Sequence, residues 1–446
     1  MKNLLFIFLM LCFSCQGGSH EQQYASAFFQ SQGVNVSYWD VVESRQGLKV
    51  LTNYEENKFI ILADTAYRES LGDNLVLAYG YDASWKTDTA VTKILGYYEK
   101  LLHHINTGQK LEVNDRKAKY APLLKTSWGQ HSPYNAFCPK LASGQHALAG
   151  CVPVALAQLV AFYHSEKADS PAKLIAEIGS SVKAHYGLRN TVASTHNMKP
   201  VLVNNYNMAL SCKLRVNLTD SQLLDIAERN LKEGHPLLFS NRDHAFLCDG
   251  MDRDYLHLNL GLGGLCNGYY RIIPSEKWRE PFATSVLTDI YPSDGDLHLS
   301  IKVNKPGTLA DQLGDLSSKV TRLTLSGVLN GKDVALVRRL AGAVRDDSTE
   351  PVGQLSDLTL AGIRYVSGDV FAEEDAGAAK FIVRRNKESF DFSEMSVSRW
   401  NYFCSKGYNK TADYRILRKD GRYVVQFLLS PSPKSQYLFM GCENLK

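Results

Sequence analysis

Ala149-Gly150-Cys151-Val152-Pro153-Val154-Ala155-Leu156-Ala157-Gln158-Leu159-Val160-Ala161-Phe162-Tyr163 is apolar on every side of a helical projection, and a helix apolar all round belongs in a core. The pattern predicts one long buried helix from Val152 to Tyr163. Pro153 fits its first turn, where a missing N–H has no intrahelical partner to lose. Cys151 then stands at the positive end of a buried helix dipole, a setting that favours thiolate over thiol and makes a nucleophile near neutral pH. For this residue taken alone, a small cysteine plugging a helix-packing gap is the competing reading.

Working outward, a thiolate needs a proton partner. Asp243-His244-Ala245-Phe246-Leu247-Cys248-Asp249-Gly250 places His244 at the head of a short apolar strand, just after a polar loop, where its ring can face a cleft. Downstream, Leu258-Asn259-Leu260-Gly261-Leu262-Gly263-Gly264 supplies Asn259, whose side chain is able to accept a hydrogen bond from the imidazole and fix its orientation. Upstream, Ser127-Trp128-Gly129-Gln130-His131-Ser132-Pro133-Tyr134-Asn135 offers Gln130 as a carboxamide donor that, with the Cys151 N–H, meets the requirement of an oxyanion hole. The order Cys, His, Asn points to acyl transfer; each residue alone is compatible with an ordinary structural place.

With these motifs in order, the chain resembles the streptopain family of papain-like cysteine peptidases. The likeness is carried by Trp128-Gly129-Gln130, Pro133-Tyr134-Asn135, Gly144 to Cys151, Ala157-Gln158, Tyr163-His164, Gly234-His235-Pro236, His244-Ala245-Phe246 and Asp249-Gly250. The resemblance implies an α+β fold in which a papain-like catalytic domain follows an α+β propeptide. It implies Cys151 as nucleophile, His244 as general base and acid, Gln130 as oxyanion donor and Asn259 as the residue that orients His244. It also implies a zymogen whose propeptide, from Glu21 to about Lys119, inhibits it, with Lys58 to Asp64 similar to the family's propeptide strand. The activity it implies is that of an endopeptidase acting through a thioester on protein or peptide substrates, with an apolar side chain preferred one position before the scissile residue. No cofactor is implied, and the substrate pocket is not readable from these residues.

One departure stands out. Where the family reads Asn-Trp-Gly-Trp-Gly-Gly, this chain has Asn259-Leu260-Gly261-Leu262-Gly263-Gly264, with leucines replacing two tryptophans that cover the His–Asn bond and wall the cleft. A peptidase-fold surface protein with weak or no turnover, acting in adhesion or binding, is therefore the alternative. His146 and His164 also match family positions and read as structural.

Composition bounds the rest. At roughly 150 residues per domain, 446 residues give about three domains, and 44% hydrophobic with 22% charged residues excludes disorder, collagen and a coiled coil. Fifty Lys and Arg against 46 Asp and Glu leave a formal charge of +4, too near neutrality to make nucleic acid a partner. Leu4 to Phe13 follows Lys2 as a short apolar run of signal-peptide type, and Ser14-Cys15-Gln16-Gly17 resembles a bacterial lipobox in which Cys15 carries the lipid. The expected location is outside the cytoplasm: lipid-anchored at the bacterial cell envelope or surface, or released after processing. Any membrane contact is through that lipid alone.

Seven cysteines follow Cys15, and an odd count in an oxidising compartment leaves at least one thiol free or paired between chains. Beyond the leading segment no C-x-x-C or H-E-x-x-H spacing occurs, so a zinc site finds no support. The expected division is a signal or lipoprotein segment at 1–20, a propeptide at 21–119, a catalytic domain at 120–293 and an accessory domain at 294–446. Asn114 to Lys119 reads as an exposed, nickable linker. In the last block, Thr321 to Asn330, the amphipathic Asp333 to Leu340 and Leu355 to Ala361 form a strand, helix, strand succession that resembles bacterial surface leucine-rich repeats, as do the residues from Tyr437 to Lys446. A one-off mixed α/β domain is equally compatible.

Overall fold

Continuous apolar runs, rather than alternating ones, mark strands covered on both faces. Two such runs, Phe59 to Ala63 and Leu75 to Tyr79, lie at the centre of the first unit of the computed structural model. The structure describes residues 18–81, 85, 89–106, 111, 116–241, 243–275, 281–344 and 347–365, with the strand backbones 382–385, 388–391, 414–419 and 422–427. Cys12, the expected lipid anchor Cys15, Asn114, Asp115, Cys404, Cys442 and the repeat-like stretch from Tyr437 lie outside the described residues. The chain divides into one unit of Met1–Tyr206 with Leu214–Thr288, and another of Asn207–Lys213 with Asp289–Lys446.

The first unit is α+β. In chain order its strands are β1 (Asp40–Arg45), β2 (Leu48–Asn53), β3 (Lys58–Ala63), β4 (Val76–Gly80), β5 (Lys119–Tyr120), β6 (Lys213–Val216), β7 (Leu237–Ser240), β8 (Ala245–Asp252), β9 (Tyr255–Asn259), β10 (Gly268–Arg271) and β11 (Ser285–Thr288). They form a single sheet in the order β1-β2-β3-β4-β10-β9-β8-β7-β11-β6, with β5 pairing β8 to one side. The junction between early and late chain is the antiparallel β4–β10 pair, with Tyr79 opposite Tyr269. Their rings stack at 5.0 Å. Hydroxyls bridge the same seam: Tyr98 donates to Arg271 O at 3.0 Å and Tyr255 to Val76 O at 2.7 Å. Residues 20–106 thus extend the sheet that carries His244.

A long helix runs from Thr89 to Asn106. The second half of the expected linker is pinned rather than loose. Arg116 pairs with Asp225 and, at 2.7 Å, with Glu228, and Lys119 in β5 reaches Asp252 at 2.8 Å. Just beyond, the buried Asp249 accepts Leu124 N–H at 2.9 Å on its carboxylate and Leu123 N–H at 2.9 Å on its main-chain carbonyl. The chain leaving β5 is therefore held to β8 at several points.

The decisive helix runs from Cys151 to Tyr163, and everything from Val152 to Ala161 is buried. It packs on β8 and on the helices Pro171–Ser181 and Met198–Tyr206. Each fully buried Val or Leu of this helix contributes about 1.5–3 kcal/mol of hydrophobic stabilisation. That fixes the helix, and with it the height of Cys151 above the sheet.

In the second unit, β12 (His298–Val303), β13 (Arg322–Leu329) and β14 (Asp357–Tyr365) lie parallel. The helices Leu309–Leu313 and Gly331–Leu340 connect them over a core that includes Val303, Leu309, Leu325 and Val337. Asn330 caps the longer helix, and the buried Asp333 accepts the Gly307, Leu309 and Asn330 N–H groups. This matches the strand, helix, strand succession read from the sequence. Two hairpins follow, β15 (Ile382–Arg385) with β16 (Glu388–Asp391) and β17 (Tyr414–Lys419) with β18 (Arg422–Phe427).

Candidate active site

Cys151 is the first residue of its helix, and Gly150 before it has a φ of 90°, a region that L side chains rarely adopt. A Cβ at Gly150 would meet Thr191 Cγ2 at 2.9 Å and Thr191 O at 3.2 Å. Gly150→Ala is therefore expected to destabilise the fold by about 1–3 kcal/mol, read as a lower midpoint of denaturant unfolding. Cys151 as a whole residue is partly exposed, unlike the buried Cys138 and Cys248.

His244 comes to this thiol from the sheet. The Asn241 carboxamide accepts Asp243 N–H at 3.1 Å and His244 N–H at 2.9 Å, a side-chain-closed turn that ends the loop and starts β8. The ring is 7% exposed and stacks on Phe246. Burial pushes the Cys151 thiol up, but a hydrogen bond with the His244 side chain and the charge on that ring outweigh it, helped by the Ala245 and Val152 N–H groups. The thiol is held below its ordinary range. Burial alone pushes Cys138 up, and it drives Cys248 well above the usual thiol value. Only a thiol facing a cation and N–H donors keeps its proton so weakly.

Opposite the thiol, His244 Nε2 lies 2.7 Å from the main-chain carbonyl of Leu260. Nε2–H donates there, which leaves Nδ1 for the sulfur. The expected orienting residue, Asn259, does not bring its side chain to the ring. Asn259 Nδ2 donates to Thr126 O at 2.7 Å and to Gln158 Oε1 at 3.2 Å, while its Oδ1 accepts Gly261 N–H at 3.2 Å. Asn259 therefore shapes the turn that presents the Leu260 carbonyl, and Asn267 Oδ1 holds the Leu260 N–H at 2.9 Å from the other side. The reason is positional: Asn259 ends β9 with its side chain directed at the Cys151 helix, and the next peptide turns toward His244.

Gln130 lies on a loop fixed at both ends of its approach. Its carbonyl accepts Ala149 N–H at 3.0 Å, two residues before Cys151, and the preceding Trp128 accepts Gly263 N–H at 3.2 Å. A Cβ on Gly129 would come within 2.9 Å of Gly263 N, so only glycine permits the loop to pass this close. The Gln130 carboxamide makes no hydrogen bond among the described residues. The two leucines of the departure are apolar cover: Leu260 is fully buried and Leu262 packs against the core. His146 and His164 bond the carbonyls of Cys138 and Tyr206 at 2.6 and 3.0 Å, away from the Cys151–His244 pair. Among the described residues no group of three or more His, Cys, Asp or Glu is placed to hold a metal ion, and no helix is long and apolar enough to cross a membrane.

Three positions that shape this geometry have no role assigned from the sequence. The Leu260 carbonyl has no side-chain signature, Asn267 hides in a Gly-rich turn, and Gln158 shows only as the lone carboxamide in an apolar helix and as part of the Ala157-Gln158 match, neither of which gives it a role.

A partly exposed cysteine at a buried helix N-terminus, with a histidine just before a strand anchored on its far nitrogen, defines the site class of the cysteine peptidases. Residues 128–168 and 163–270 match the Peptidase C10 family, and this stretch contains Gln130, Cys151, His244 and Asn259. The resemblance to the streptopain family holds over the same stretch. The chain is 24% identical over 289 residues to the thiol protease/hemagglutinin PrtT of Porphyromonas gingivalis, an alignment covering 50% of this chain and 33% of that protein. It is 22% identical over 268 residues to streptopain of Streptococcus pyogenes, covering 43% of this chain and 67% of streptopain. The chain thus spans a third of the first relative's length and about two thirds of the second's. Among solved structures, a prointerpain A fragment of Prevotella intermedia aligns with a TM-score of 0.47 at 19% identity, covering 57% of this chain and 98% of the fragment.

Proposed function

We propose that this chain is an exported cysteine endopeptidase made as a zymogen. The observation that carries the reading is the contact of Cys151 with His244 at a helix N-terminus, with the thiol held below its usual range. In this mechanism the Cys151 thiolate attacks a peptide carbonyl, the Gln130 carboxamide and the Cys151 N–H hold the oxyanion, and His244 protonates the departing amine. Water then hydrolyses the thioester, with His244 as base and the Leu260 carbonyl keeping the ring in place. The substrates are proteins or peptides.

Residues 21–119 act as the inhibitory propeptide, 120–293 as the catalytic domain and 294–446 as an accessory domain of leucine-rich-repeat type. Support for the propeptide comes from β1 to β4 extending the sheet that carries His244, and from Lys93 pairing with Asp243 at 3.0 Å beside that histidine. Support for the repeat reading comes from the parallel β12, β13 and β14 with helices between them. Residues 1–20 direct export, with Cys15 lipidated at the bacterial cell envelope or with the protein released after processing.

The test is casein hydrolysis and labelling by a thiol-directed epoxide after maturation. A peptidase hydrolyses casein and takes one label, at Cys151. A binding protein with a relic site does neither, and that outcome selects the alternative of an adhesion protein.

A further inference from the structure

Gln158 lies seven positions after Cys151, two helical turns on, and so shares its face of the helix. It is fully buried in a helix whose other buried residues are apolar, a place where an amide costs free energy unless its hydrogen bonds are made. They are made to two different loops. Gln158 Oε1 accepts the Trp128 N–H at 3.0 Å and Asn259 Nδ2 at 3.2 Å, and Gln158 Nε2 lies 3.4 Å from Asn259 Oδ1. Trp128 leads within two residues to Gln130. Asn259 leads within one residue to the Leu260 carbonyl that holds His244.

On the reading above that Cys151 and His244 react, we propose that Gln158 is a positioning residue that sets the oxyanion loop and the histidine's acceptor at fixed distances from the nucleophile. The Gln158 and Asn259 carboxamides face each other head to tail, so a displacement of either loop breaks bonds in a dry environment where they are not replaced by water. An apolar side chain of the same size fills the volume but holds neither loop. It also leaves the Trp128 N–H without its acceptor.

The experiment compares Gln158→Met, Gln130→Ala and the double variant of the full chain by peptide hydrolysis, and follows iodoacetamide alkylation of Cys151 against pH. Gln158→Met is expected to lower kcat by about 30- to 100-fold with KM changed by less than about threefold, because a transition-state contact is lost. Gln130→Ala should cost on the order of 100-fold in the parent and less than about threefold in the Gln158→Met background, where the loop is already displaced. Alkylation at pH 6 should slow by about tenfold in Gln158→Met, as His244 loses its fixed acceptor.

Penalties that multiply, with an unchanged alkylation profile, would overturn the proposal and reduce Gln158 to packing. If Gln158→Met does not fold, Gln158→Glu keeps the acceptor for Trp128 and Asn259 and should retain at least a tenth of parental kcat; a loss as complete as that of Cys151→Ala overturns the proposal. Should the parent hydrolyse no peptide, the alkylation profiles still decide the role of Gln158, while the peptidase reading fails separately.

Discussion

Cys151→Ala is expected to abolish hydrolysis of casein, a fall of at least about 10⁴-fold in kcat/KM, with the unfolding midpoint close to that of the parent. The size follows from chemistry: without sulfur no acyl-enzyme forms, and what remains is substrate binding and a donor pair aimed at an oxyanion that no longer develops. Stability changes little because the residue is partly exposed and alanine suits a helix N-terminal turn. Measurement of kcat/KM beside a denaturant titration separates the two effects. Activity retained within about tenfold would place the nucleophile elsewhere.

His244→Gln is expected to cost nearly as much, and to do so in a pH-dependent way. In the parent, burial raises the Cys151 thiol, while the His244 hydrogen bond and charge, together with the Ala245 and Val152 N–H groups, lower it by more. Removing the ring takes away the His244 hydrogen bond and charge and leaves burial opposed only by the Ala245 and Val152 N–H groups, so the thiolate forms at a higher pH than in the parent. Between pH 6 and 8 the parent therefore alkylates with iodoacetamide at least about tenfold faster than His244→Gln, and the difference closes as the pH rises past the variant's own thiol pKa. Hydrolysis does not recover at high pH, because no group remains to protonate the leaving amine. Equal alkylation profiles would mean that the ring does not govern the thiol.

The helix carrying Cys151 was legible because its apolar residues occupy every face, and a helix of that kind has one place to go. His244 was legible from its position between a polar loop and an apolar strand. The acceptor of its far nitrogen was not. Asn259 has the residue type that fits the role, yet the turn after β9 directs its amide to Gln158 and hands the task to the next carbonyl, that of Leu260. A main-chain carbonyl leaves no trace in residue identity. The leucines at 260 and 262 illustrate the same limit, since the contact with His244 is made by backbone and the side chains supply only dry cover.

Long-range pairing accounts for the other differences. Arg116 and Lys119 read as solvent-exposed charges until Asp225, Glu228 and Asp252 are brought beside them by the fold, more than a hundred residues away. The strand over Lys58 to Asp64 was legible, but not that β4 pairs with β10 and so joins the early block to the sheet beside His244. Local periodicity specifies a strand and says nothing of its partner.

The most direct test of the Cys151–His244 reading is the intact mass of the chain without its leading segment, followed over time under reducing conditions beside Cys151→Ala. The account predicts that the parent sheds an N-terminal fragment ending between about Asn114 and Lys125, that Cys151→Ala stays whole, and that the shortened parent cleaves casein. Identical processing of both forms, or a parent that stays whole and gains no activity when a trace of active cysteine peptidase is added, would contradict it.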